Sequence, residues 1–325
     1  MRMFLAGSDT TRFPMSIAVG GGACFLTSYY HAIRGRYNSD QLSQVTKIYH
    51  HLRGRGADWI MDSGLFTMMF GAGKGKSYTA TDLLAYTDRY LVDMRSMDFR
   101  HTIVEMDVHK VLGLQHLAAF RSKFEKGWGI DRTMFVWHLE EKLAGLQTLA
   151  KRYPYIALSI PELRACSKIV GELVPCVKKL VGVALDANPQ VKIHLLGCTQ
   201  SKAMQLPGVW SCDSSSWLQG NSFARTYIHK DGRNRPLHRR SPQAKQLTDA
   251  VRSLILTRWK ALERASGVPS KLNYQCINLA LNAHAFVSLN RWIRTRYYSN
   301  APLPTITGLT PLTETSYEKT HAAAK

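Results

Sequence analysis

Short apolar runs alternate along this chain with longer segments whose apolar positions recur every three or four residues. The runs at 3–6, 23–27, 58–61, 102–106, 134–137, 156–158, 192–196 and 209–212 read as strands. Helical patterns lie between most of them, at 40–53, 81–94, 112–126, 140–152, 161–174 and 178–187. Eight strand-then-helix alternations with no long strand-only stretch predict a parallel sheet with crossover helices. Eight is also the number that closes a barrel, so the expectation for residues 1–222 is a TIM (β/α)8 barrel of the α/β class. A doubly wound open sheet is the alternative, because a strand count taken from one sequence is easily off by one or two.

After Trp217 the pattern changes. Residues 224–229 read as an extra strand or hairpin arm, and a basic, turn-rich stretch follows at 230–245. Two long helical patterns come next, at 243–265 and 271–298. Residues 223–299 are therefore expected to form a basic, mainly helical extension packed on the barrel. The tail at 300–325, rich in Pro, Thr and Ala, is expected to be loosely ordered.

Charge narrows the partners. The formal net charge of +20 implies a polyanion, nucleic acid before an anionic membrane. From Arg225 onward 17 Lys/Arg stand against 5 Asp/Glu, which places +12 of that charge in about the last third. Arg225, Lys230, Arg233, Arg235, Arg239, Arg240 and Lys245 are the expected phosphate contacts. Arg291, Trp292, Arg294, Arg296, Tyr297 and Tyr298 mix cations with aromatics that stack on an unpaired base, unless Trp292 packs its helix onto the barrel. Six cysteines without a Cys-x-x-Cys pair indicate reduced usage. No signal-peptide pattern opens the sequence and no apolar run spans a bilayer, so a soluble, cytoplasmic protein without a membrane role is expected.

The strand ends hold the candidate chemistry. Ala57-Asp58-Trp59-Ile60-Met61 runs into Asp62-Ser63-Gly64-Leu65-Phe66-Thr67, and Val209-Trp210-Ser211-Cys212 runs into Asp213-Ser214-Ser215-Ser216-Trp217. An Asp followed by small residues, where a buried strand stops, fits the C-terminal mouth at which barrel enzymes keep their chemistry. A single such Asp more often caps the next helix, but other strands here end similarly, on Asp107, His138, Ser159 and Gly197. In a barrel all of these converge on one face. Three carboxylates above apolar strands repel one another and lie partly desolvated, which splits their pKa values. Such a set suits displacement at a sugar carbon, one carboxylate attacking and a second handling protons on the departing base.

Asp62-Ser63-Gly64-x-Phe66, the Asp ending the next strand, the later strand ending in Leu196-Gly197, and Asp213 resemble, in that order, the tRNA-guanine transglycosylases. These are TIM barrels that exchange guanine in a nucleic acid for a 7-deazaguanine, and the resemblance covers roughly residues 3–213. It implies that Asp213 is the nucleophile at C1′, that Asp62 is the general acid/base and that Asp107 reads the guanine-like edge of the base. It also implies a base pocket formed with Ser63, His138, Ser159 and Gly197. His138 stands where the family carries Gln, and Ser159 where it carries Gly.

The departures from the family shape the expectation. The usual Asp-Ser-Gly-Gly-Phe-Gln is here Asp62-Ser63-Gly64-Leu65-Phe66-Thr67. The family's Cys-x-Cys-x-x-Cys…His zinc motif is absent, since only Cys276 follows Asp213. Cys276 and His284 lie eight apart in a helical pattern, about 12 Å along the axis, too far to share a metal. His229 and His238 could contribute to a zinc site, but solvated surface histidines are the default, so no metal or other cofactor is expected. Loss of that motif, with a compact basic C-terminal part, resembles the divergent branch that places 7-deazaguanines in the DNA of bacteria and their phages. The resemblance thus implies base exchange in DNA, with free 7-deazaguanine such as the 7-cyano form as co-substrate, in a bacterial or phage-infected cell. A tRNA transglycosylase is the alternative within the class, a non-catalytic nucleic-acid-binding barrel the alternative outside it. A carboxylate-dependent glycosidase or nucleosidase is disfavoured by the charge.

Three further motifs are read as decoys. Gly71-Ala72-Gly73-Lys74-Gly75-Lys76-Ser77 lacks the first Gly of a P-loop, Phe70 standing there, so Lys74 and Lys76 are expected in a basic loop on the nucleic-acid backbone. Gly20-Gly21-Gly22 is a turn into the next strand. Ser214-Ser215-Ser216 lacks a nucleophile elbow, and Ser214 is expected to help position Asp213.

Overall fold

A computed structural model describes residues 1–7, 10–31, 39–70, 77–166, 172–198, 200–269, 272–298 and 304–309. All eight expected strands form: β1 (Arg2–Ala6), β2 (Cys24–Ser28), β3 (Asp58–Asp62), β4 (Thr102–Val104), β5 (Thr133–Trp137), β6 (Tyr155–Ser159), β7 (Lys192–Leu196) and β8 (Val209–Ser214). They follow one another in sequence order around a closed barrel, which decides against the open sheet. The pairing is parallel, with Phe135 opposite Ile156 and Ile156 opposite Ile193. Strands of such a barrel are covered on both faces, which is why β5 is buried at every position and reads as an unbroken apolar run.

The chain divides into two compact units. One comprises Met1, Thr27–Arg36 and Trp59–Asp213, the other Arg2–Leu26, Tyr37–Asp58 and Ser214–Lys325. This division differs from the expected boundary at residue 222, because β1 and most of β2 group with the C-terminal elements.

In the first unit the helices follow the expected periodicity with local corrections. Helix Ala80–Ser96 opens with a reciprocal cap: Thr79 Oγ1 accepts from the Asp82 amide, and Asp82 Oδ2 accepts from the Thr79 amide. Helix Leu173–Ala187 buries Leu173, Val177, Leu180, Val181 and Ala184 on one face. The single helix expected at 161–174 is instead two, Ile160–Cys166 and the start of Leu173–Ala187. Pro175 explains the second start: proline has no N–H and is tolerated only in a first turn, so the helix that carries it begins just before it. The helix expected from 112 begins at Leu117, after a short turn of helix at His109–Leu112.

In the second unit, helix Arg12–Val19 was not foreseen, since Pro14 interrupts the apolar pattern although it too sits in a first turn. The expected arm at 224–229 is a full hairpin of β9 (Arg225–Lys230) and β10 (Arg233–His238), antiparallel with Arg233 opposite Lys230. Nearly half of the stretch taken as turn-rich, Lys230 and Arg233–His238, is therefore strand. Asp231 and Gly232, both at positive φ (51° and 74°), form the two-residue connection that matches strand twist. Helix Pro242–Ser266 is capped by Ser241 Oγ and packs Leu247, Val251, Ile255, Trp259 and Leu262 inward. Helix Tyr274–Tyr297 is buried over most of its circumference and holds the hairpin through two asparagines. The Tyr227 amide and the Thr226 hydroxyl donate to Asn282 Oδ1 and Asn278 Oδ1, at 2.7 and 2.6 Å. A Cβ at Gly232 would lie 2.5 Å from Trp292, so that half-buried ring packs on the hairpin turn.

Candidate active site

The first unit carries the strand-end residues singled out above. Asp62 ends β3; Asp107 follows β4; His138 follows β5; Ser159 ends β6; Gly197 follows β7; and Asp213 lies in β8. A parallel barrel delivers all of these to its C-terminal face.

Asp213 is buried at 8 % exposure and held through one oxygen. Its Oδ1 accepts from the Gly197 amide at 2.7 Å and lies 3.2 Å from His194 Nε2. Among the described residues Oδ2 takes no hydrogen bond. Beneath it runs a polar chain inside the barrel: Tyr155 Oη is 2.6 Å from Ser211 Oγ, and Ser211 Oγ is 2.7 Å from His194 Nδ1. Ser214 does not take the expected part, since its Oγ accepts from the Ser216 amide.

Asp62 is half-buried, and its Oδ2 accepts from the Gly64 amide at 3.0 Å. Gly64 has φ of 79°, and a Cβ there would lie 2.5 Å from Tyr30 Cβ and 2.7 Å from Ser28 Oγ, so both conformation and space require glycine. Burial pushes the Asp62 carboxyl up to about 6, the Gly64 amide opposes this, and the charges of Asp213 and Asp107 add to it. Both of these charges thus act on the Asp62 carboxyl. Ser63 is buried, and its carbonyl accepts from Tyr86 Oη at 2.8 Å.

Asp107 is more open than Asp213, its side chain 37 % exposed against 11 %. Its Oδ1 lies 2.6 Å from His109 Nδ1 and 3.3 Å from His138 Nε2. His109 Nε2 in turn faces Glu162 Oε1 at 3.3 Å. Burial works against charge on His109, but Asp107 and Glu162 outweigh it and push its pKa up to about 9. For His138 burial dominates and lowers the pKa. Ser159 Oγ accepts from the Glu162 amide at 3.4 Å, a helix-capping contact. Behind this cluster the guanidinium of Arg121 joins Glu105 at 3.2 Å, Glu141 at 2.8 Å and the Val136 carbonyl at 2.8 Å.

The sequence reading missed His194, His109 and Glu162 as parts of the site. In the second unit Arg225, Lys230, Arg233, Arg235 and Arg240 are exposed along the hairpin, and Arg239 is half-buried with its guanidinium 5.7 Å from the Tyr274 ring centre. Lys74 and Lys76 lie outside the described residues. All six cysteines are free. Cys276 and His284 do not meet as ligands, since the His284 imidazole engages the Gly20 carbonyl at 3.2 Å. Neither they nor His229 and His238 belong to any group of three potential metal ligands among the described residues. No described helix is long and apolar enough to cross a membrane.

No protein-family model matches the chain. A comparison with curated proteins finds no match either. Among solved structures, the chain is similar to a protein placed in the dihydrodipicolinate synthase family from Coccidioides immitis, at 8 % identity and a TM-score of 0.44, covering 99 % of this chain and 93 % of that one. A likeness at that level carries no argument, and the barrel assignment rests on the strand order itself.

Proposed function

We propose that this protein is a transglycosylase that exchanges guanine in DNA for a 7-deazaguanine through a covalent aspartyl–sugar intermediate. One observation carries the reading: Asp213 is anchored by Oδ1 alone, beside an Asp62 whose carboxyl is held near neutral pKa. Asp213 Oδ2 attacks C1′ of the target deoxyguanosine and the C1′–N9 bond breaks. Asp62, in its acid form, assists the leaving purine with a proton. An incoming free 7-deazaguanine then gives up its ring proton to the Asp62 carboxylate, and its nitrogen displaces Asp213 from C1′. Asp107 accepts hydrogen bonds from the ring N–H and exocyclic amine of the base. His138, buried beside it, bears on the choice of 7-substituent. Reaching C1′ in a duplex requires the nucleotide to leave the stack, at about a few kcal/mol. Phe66, 68 % exposed in the helix that follows Asp62, is an aromatic surface suited to an unstacked base.

A net +20 and the exposed cations of the hairpin suit a phosphate backbone, and the missing Cys-x-Cys-x-x-Cys…His motif favours DNA over tRNA. The deciding experiment expresses the protein in cells supplied with a 7-deazaguanine and analyses nucleosides from DNA and tRNA by mass. Deazapurine in deoxynucleosides is expected. Deazapurine only in ribonucleosides moves the protein to tRNA, and none in either overturns the exchange.

A further inference from the structure

Asp107, His109 and His138 place three potential ligand atoms within 4.8 Å of one another. The two imidazoles stack, ring centres 3.6 Å apart and planes inclined by 20°. Both bring a nitrogen near the same carboxylate oxygen, Asp107 Oδ1: His109 Nδ1 at 2.6 Å, and His138 Nε2 at 3.3 Å but not aligned for a hydrogen bond. His138 is fully buried, and neither of its ring nitrogens has a hydrogen-bond partner among the described residues. A buried imidazole without a hydrogen bond is costly, and such a group calls for an explanation. An imidazolium at His109 accounts for its own contact with Asp107 and leaves His138 as it is.

We propose that Asp107, His109 and His138 bind one divalent transition-metal ion, zinc being the probe of choice. Two imidazoles and one carboxylate are a donor set for borderline ions of this kind. An ion about 2.1 Å from each ligand in tetrahedral geometry sets the ligand atoms about 3.4 Å apart. The Asp107–His138 separation of 3.3 Å already meets that spacing; the 2.6 Å separation to His109 must widen, and the two stacked rings must splay so that their in-plane lone pairs meet at the ion. The outer contact fits as well: Glu162 Oε1 faces His109 Nε2, so when the ion displaces the Nδ1 proton now directed at Asp107, the remaining Nε2–H tautomer presents Nδ1 to the metal. A second group nearby, His109, Glu140 and Glu162, is excluded because Lys110 already serves it, with Nζ 2.8 Å from Glu162 and paired also with Glu140.

The site goes beyond the proposed base exchange and does not depend on it. It uses Oδ1 of Asp107 and leaves Oδ2 for a base edge. Bound metal would fix that carboxylate and neutralise part of the negative charge shared with Asp62 and Asp213.

The test is made on the full chain without nucleic acid or base. Purified protein is stripped with chelator and titrated with zinc by calorimetry, and with cobalt by its visible spectrum. One equivalent of either ion is expected, with the ligand-field bands of a four- or five-coordinate cobalt site. His109→Ala and His138→Asn should lose the bands and the stoichiometric binding, while Glu162→Gln should weaken affinity about 10- to 100-fold. Asp62→Asn and Asp213→Asn should retain one equivalent. Circular dichroism of each variant separates loss of a ligand from loss of fold, and the wild-type titration stands whatever the variants do. No binding by the wild type, or binding unchanged in folded His109→Ala and His138→Asn, overturns the site. Metal binding without base exchange would leave the site standing and remove the proposed function; the converse would do the reverse.

Discussion

His194 Nε2 sits 3.2 Å from Asp213 Oδ1, within the pairing of β7 with β8. One set of donors satisfies the whole chain: Tyr155 Oη donates to Ser211 Oγ, Ser211 to His194 Nδ1, and His194 Nε2–H to Asp213. With the Gly197 amide on the same oxygen, Asp213 is fixed in one orientation and presents Oδ2. His194 is thus a positioning residue for the proposed nucleophile.

Removing that donor should slow the covalent step. A hydrogen bond to a charged group is worth about 1.5–3 kcal/mol, so His194→Leu should lower the single-turnover rate of guanine release about 10- to 150-fold. His194→Gln, which keeps an N–H donor, should recover part of the loss. Asp213→Asn should abolish release while preserving fold and nucleic-acid affinity, because an amide is a far weaker nucleophile. Measured adduct formation that is unchanged in His194→Leu would show that Gly197 alone orients Asp213.

Asp62 makes the first half-reaction depend on pH. Its folded pKa of about 6 means that the acid form prevails below that value and is depleted above it. Guanine release that needs this proton should therefore fall about tenfold per pH unit above pH ~6, toward the alkaline side and not the acid side. Asp62→Asn should slow release at every pH and flatten this limb. A wild-type profile that rises from pH 6 to 8 in single-turnover assays would assign the proton to another group.

The barrel was legible because its strands are unbroken apolar runs with helical periodicity between them, and the three aspartates were legible because a carboxylate at the end of such a run has few other places to go. Other parts were hidden for physical reasons. His194 is a lone polar residue within the run that forms β7, and its meaning depends on Ser211 and Asp213 across the strand pair. His109 and Glu162 are 53 residues apart and meet only through the barrel's curvature. The second hairpin arm was obscured by its arginines, although Asp231-Gly232 is a strong two-residue turn signal.

Arg121 should matter for stability before catalysis. Its guanidinium is largely buried and bridges Glu105, which is fully buried, and Glu141. Arg121→Ala leaves two carboxylates without their cation, and breaking such a buried pair costs about 3–5 kcal/mol. Urea unfolding should show a midpoint shifted down with an unchanged slope. A loss below about 1 kcal/mol would mean that Glu105, which burial already pushes up to about 7, takes up a proton once the cation is gone.

Asp107 should set base affinity. Asp107→Asn replaces one acceptor at the proposed base edge by a donor, and an unmet buried pair costs about 1–3 kcal/mol, or one to two decades in affinity. A panel of free guanine and 7-substituted 7-deazaguanines, titrated against wild type and variant, reads the effect. Equal affinities and an unchanged ranking would leave Asp107 without a part in base recognition.

The hairpin of β9 and β10 should hold the polymer by charge. Arg233, Arg235 and Arg240 are exposed along β10 and just beyond it, and Arg239 lies over Tyr274. Each phosphate neutralised contributes about 0.9 to the slope of log affinity against log salt on duplex and about 0.7 on single strands. Replacing all four arginines with Gln should therefore flatten the slope by up to about 3.6 on duplex, and slow exchange, while affinity for free base stays nearly constant. Binding isotherms at several salt concentrations, on duplex and single-stranded DNA and on tRNA, measure the slopes directly. An unchanged slope in the quadruple variant would place the phosphate contacts on other cations of this basic chain, and a parallel loss of free-base affinity would mean that the substitutions disturb the fold.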